Sequence, residues 1–97
     1  MKTYIVNNLL VKGLDEDIQF NSAYLYVHKV GSVSWSLEIK ETEQSEFFED
    51  AALANEHLSI TFSAEYMKSL KGNVMVKRVI NNFVELKGSG ELLGFND

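Results

Sequence analysis

Almost the whole chain alternates between apolar and polar residues with a period of two. Around the pair Gly31-Ser32, the stretch "YLYVHKVGSVSWSLEI" is rich in aromatic and β-branched residues, which predicts the two strands of an antiparallel hairpin. A two-residue turn with glycine first suits type II′ geometry. It opposes Tyr24, Tyr26, His28 and Val30 to Ile39, Leu37, Trp35 and Val33. That face is apolar or aromatic everywhere except at His28. The other face sets Ala23, Leu25, Val27 and Lys29 against Lys40, Glu38, Ser36 and Ser34, so only the first is apolar on both strands.

The stretch "HLSITFSAEYM" turns Leu58, Ile60, Phe62, Ala64 and Tyr66 to one side, the pattern of a half-buried strand. The chain is expected to turn through Ser69 to Gly72 into Val74; the alternative is a short helix over 63–71, capped by Ser63 and ended by Gly72. Asn81-Asn82 tolerate the positive φ of a tight turn and predict a second hairpin. A two-residue Asn-Asn turn competes there with a three-residue loop of Ile80, Asn81 and Asn82. The loop is preferred, because it pairs Val76 with Leu86 and Lys77 with Glu85 and gathers Val74, Val76, Val84 and Leu86 on one side. "TYIVNNLLVKG" reads as a strand or a strand pair. Its echo in "INNFVELKG" reads as shared turn chemistry rather than a repeat.

Only 45–56 is expected to be helical, with Ser45 as cap and with Glu46, Glu49 and Asp50 placed to complement the helix N-terminus. Six or seven strands with mostly short turns and one short helix describe an antiparallel β-sandwich or a small, partly open β-barrel in a single domain over 1–97. Closure depends on how the first and last strands pair, which local periodicity does not contain.

Composition narrows the chemistry more than the fold. A chain of 97 residues, 45% hydrophobic and 24% charged, supports one core with a margin of about 5–10 kcal/mol. The absence of cysteine removes disulfides, thiolate nucleophiles and thiolate metal sites. The apolar run at the N-terminus breaks at Asn7 and Asn8, so no signal-peptide core forms there, and no stretch approaches the ~20 apolar residues of a membrane-spanning helix. A soluble, cytoplasmic protein is expected. The net charge of −5 is concentrated in residues 38–56, where seven acids face Lys40 alone. A chain of this charge lacks the clustered Lys and Arg that nucleic acid requires.

No catalytic, cofactor or metal set is evident. His28 has only Glu41 near its own face as a carboxylate to orient it, and His57 beside Glu56 has no second histidine at ligand spacing. Asp15-Glu16-Asp17 lack the spaced ligands of a calcium loop. Glu41, Glu43, Glu46, Glu49 and Asp50 read as a solvated connection rather than a glycosidase pair. "GSGELLGF" has two glycines but no following Lys-Ser or Lys-Thr, so it reads as a bulge or a close backbone approach, not a phosphate loop.

The expected function is a non-enzymatic protein-interaction or assembly module. It would bind a protein partner or a second copy through a strand edge, the acidic segment with Glu46, Glu49 and Asp50, or the apolar C-terminal tail. The alternative is a ligand-binding barrel with a pocket lined by Tyr24, Tyr26, His28 and Trp35. An enzyme would have to rest on His28 or His57. The aromatic row is nonetheless read first as core, with Trp35 buried and its indole N–H bonded to an acceptor.

Overall fold

The computed structural model describes residues 1–95. Six antiparallel strands form a closed barrel in the order β1-β2-β3-β6-β5-β4. Two three-stranded meanders, β1 (Lys2–Val11), β2 (Ser22–Val30), β3 (Ser32–Lys40) and β4 (His57–Ala64), β5 (Met67–Ile80), β6 (Phe83–Leu93), are joined through the helix α1 (Ser45–Leu53). β1 closes the sheet. Its first residues, to Ile5, pair with β2 and those from Val6 onward with β4, and a bulge between Val6 and Asn8 interrupts the β4 ladder. An extra residue there bends the strand and resets its alternation, so that Val6 and Leu9 are both buried.

In the first hairpin Val30 pairs with Ser32 around Gly31 alone, whose φ of 77° lies in the region glycine favours. This corrects the expected register by one residue, and such a slip moves every side chain of β2 to the other face. Ala23, Leu25 and Val27 now oppose Ile39, Leu37 and Trp35, and all six are buried. Tyr24 and Tyr26 lie half-buried on the outer surface, and His28 is exposed. The observed register puts only apolar side chains inside and lets the Tyr26 hydroxyl reach a polar partner.

The β4–β5 connection is a second correction. Ala64 pairs with Met67, so the chain reverses at Glu65-Tyr66, with Tyr66 at φ 70° and 93% exposed. Residues 67–80 form one strand, neither helical nor turned at 69–72. At the Asn81-Asn82 hairpin the two competing registers both occur. Ile80 pairs with Phe83 across a two-residue turn, and a bulge between Val76 and Arg78 restores the Val76–Leu86 pair.

α1 begins one residue earlier than expected. Gln44 is its N-cap, without a side-chain cap bond, and Ser45 is already helical. Its other end is a Schellman motif: Asn55 N–H donates to Ala52 and Glu56 N–H to Ala51, with Asn55 at φ 54°. Phe48 and Ala51 are buried, while Glu46, Glu49 and Asp50 face solvent. Ile18, held by its N–H to the Leu9 carbonyl, is buried with them at the same end of the barrel. No helix among the described residues is long and apolar enough to cross a membrane.

Candidate functional site

Two places hold the residues that the sequence singled out, and they differ in what they leave unsatisfied. The first is the outer surface of β2, β3, β6 and β5. Tyr26 donates to Glu38 Oε1 at 2.8 Å, and Lys40 sits 5.5 Å from the Tyr24 ring centroid. Glu38 lies directly across from Glu85 on the next strand, a like-charge arrangement that needs neutralising. Arg78 donates to Glu85, and Lys77 Nζ lies 3.5 Å from it.

Partial desolvation, reinforced by the hydrogen bond to Glu38 and the nearby negative charge, pushes the Tyr26 phenol up to about 12. It therefore holds its proton at neutral pH and is no general base. Arg78 holds the Glu85 carboxyl below the usual carboxylate range, against partial desolvation and with help from Lys77. The surface is a self-satisfied polar network.

A depressed carboxyl stabilises the fold above the pH at which the unfolded group titrates, about 4.3, and that contribution is lost as pH falls through the lower folded value. Arg78→Ala should therefore lower the urea midpoint at pH 7 by the equivalent of under about 1 kcal/mol, since Arg78 is half exposed. The two proteins should converge in acid. Equal midpoints at pH 7 would show that the pair contributes nothing.

The second place is the seam between β3 and β6. Paired rungs join these strands only from Ser36–Lys87 to Ile39–Val84. Below Ser36 the strands part: among the described residues no rung joins Ser32–Trp35 to β6, while β6 from Gly88 onward pairs only with β5, through a wide bulge between Ser89 and Leu93. The gap forms a groove of about 650 Å³ between Ser32–Trp35 and Gly88–Leu92, with Phe95 beside it. Trp35 forms its floor and is only 3% exposed. Its indole N–H donates to the Gly90 carbonyl at 3.1 Å, bridging the parted strands.

The four proposed ligand residues are thus not brought together. Trp35 alone points inward, where it stacks on Phe62 with centroids 6.2 Å apart. The barrel interior is occupied by the side chains of Leu25, Leu37, Ile60, Phe62, Leu70 and their neighbours, so Tyr24, Tyr26 and His28 line no chamber. The His28 side chain makes no hydrogen bond or ion pair with another described residue. Glu46, Glu49 and Asp50 belong to the opposite end of the barrel from the seam. The strand-edge route also needs correction. A closed barrel has no free edge along its length; among the described residues, rungs are missing in this seam and also between β2 and β1 from Val6 onward. The sequence signal for it is "GSG", whose reading as a bulge matches the geometry at Gly90, with φ 81°.

No group of three or more potential metal ligands occurs among the described residues. No protein-family model matches the chain, and neither curated proteins nor solved structures provide a match.

Proposed function

We propose that this protein is a non-enzymatic interaction module that receives an extended segment of another protein chain at the β3–β6 seam. The observation that carries this reading is the loss of paired rungs below Ser36–Lys87. The Gly90 carbonyl is taken by the Trp35 indole, but the other backbone N–H and C=O groups facing the gap have no rung between β3 and β6, and an added strand supplies the ladder they lack. Gly88 and Gly90 bring no side chains to one wall of the groove, which lets a second backbone approach closely. A small-ligand barrel is less well supported, because the interior is filled.

The test is selection from a random heptapeptide display library against the folded protein, followed by amide chemical-shift mapping of the selected peptides. Shifts concentrated at Ser32–Trp35 and Gly88–Glu91, abolished by N-methylating alternate peptide amides, are the expected result. Failure to select any peptide, or shifts confined to α1 or the outer tyrosine surface, would overturn the reading.

A further inference from the structure

The seam is a slot with one closed end. Its lower end opens beside the Gly31 turn, where β3 begins and β6 finishes, and its upper end is shut by the Ser36–Lys87 rung. A strand laid in this gap from below cannot run through. At Ser36 it must either stop or leave the sheet, and leaving would give up the pairing that holds it. The slot therefore suits a chain terminus better than an internal segment.

The charges around it choose which terminus. Lys87 is exposed at the closed end, next to the outward-facing Ser36. Among the described residues, the only charged one lining the groove itself is Glu91, also exposed and set farther down β6 toward the open end. A carboxylate brought to the closed end meets an ammonium group and a hydroxyl and lies away from Glu91. An amino terminus there would meet Lys87 with like charge. We propose that the seam captures the free C-terminal tail of a partner protein, with its carboxylate at Lys87 and its chain running back past Glu91 to the open end. This rests on the docking reading above and adds the identity of the occupant.

Ser32 to Trp35 offer four residues of strand, about 13 Å of extended chain. Alternate side chains of the tail then face the floor at Trp35 and Leu92. Both are already buried, so the groove is shallow and favours small aliphatic side chains there.

The probe is the pentapeptide acetyl-Lys-Ser-Val-Ser-Val, prepared with a free carboxylate and as the C-terminal amide, titrated by calorimetry with amide-shift mapping in parallel. The acid should bind in the seam about two- to fivefold more tightly than the amide, the worth of one exposed charge contact. Lys87→Glu should erase or reverse that preference, and Lys87→Arg should keep it; thermal midpoints of both variants check that the fold persists. Equal binding of acid and amide at the seam would overturn the C-terminal assignment and leave strand docking intact. If neither form bound at the seam, the C-terminal assignment would fall, and the display selection would decide separately whether any extended segment docks there.

Discussion

Trp35→Ala is expected to lower the unfolding free energy by about 3–5 kcal/mol, the usual range for deleting a large buried aromatic. For a domain of this size, with a margin of about 5–10 kcal/mol, that approaches global unfolding at physiological temperature. Three losses coincide. Loss of the ring leaves Phe62 without its stacking partner, the Gly90 carbonyl loses its indole donor, and Gly72 and Gly88, which lie against the ring, have no side chains to collapse into the space. Urea denaturation followed by far-ultraviolet circular dichroism measures the effect. Trp35→Phe should recover part of it, since a ring remains but the N–H does not. His28→Ala, at an exposed position near the turn, should change the midpoint little. An unchanged midpoint for Trp35→Ala would remove Trp35 from the core.

The complementary result is expected at Gly88. A Cβ built there would stand 2.3 Å from Cε2 and 2.4 Å from Cδ2 of Trp35, distances no real contact sustains. Gly88 does not have a left-handed φ, so Gly88→Ala carries no backbone strain and its cost is steric. The indole has little room to yield, because Phe62 lies on it and a Cβ at Gly72 would be 2.6 Å from its Cζ2. Overpacking of this kind costs about 1–3 kcal/mol or more. It should exceed the small gain of up to about 1 kcal/mol that a less flexible unfolded chain gives an alanine. In the double variant Trp35→Ala with Gly88→Ala the new methyl group enters the vacated space. The pair should then cost clearly less than the sum of the two single changes. Additivity would show that the glycine is not there for the tryptophan.

This pairing of Trp35 with Gly72 and Gly88 shows why parts of the chain were misread. The stretch from Ser69 to Gly72 reads locally as a turn, which places the expected reversal at residues 69–72. Its glycine instead makes room for an indole arriving from another strand, and the reversal falls at Glu65-Tyr66, where no glycine or asparagine marks it. A tyrosine at positive φ is uncommon, so no local rule would have chosen that site. The first hairpin is different, because its register was legible. Setting Ala23, Leu25 and Val27 against Ile39, Leu37 and Trp35 gives six apolar side chains and no polar one. Comparing the faces of both registers, rather than trusting the Gly-Ser turn, would have selected it. The docking seam was not legible, since it is defined by rungs that fail to form between segments more than fifty residues apart.

Local pattern by itself determined that this chain is mainly β, that its one helix starts near Ser45, that Leu58, Ile60, Phe62 and Ala64 share a buried face, and that Trp35 belongs inside. Each follows from interactions between residues close in sequence or from the cost of leaving a large apolar side chain in water. Closure of the barrel, the face to which Tyr24, Tyr26 and His28 turn, and the parting of β3 from β6 were decided only by the tertiary structure. Each depends on which distant strand supplies the next row of hydrogen bonds. β1 passes from β2 to β4 after Ile5, and a tryptophan seated against two glycines bridges the seam where β3 and β6 part.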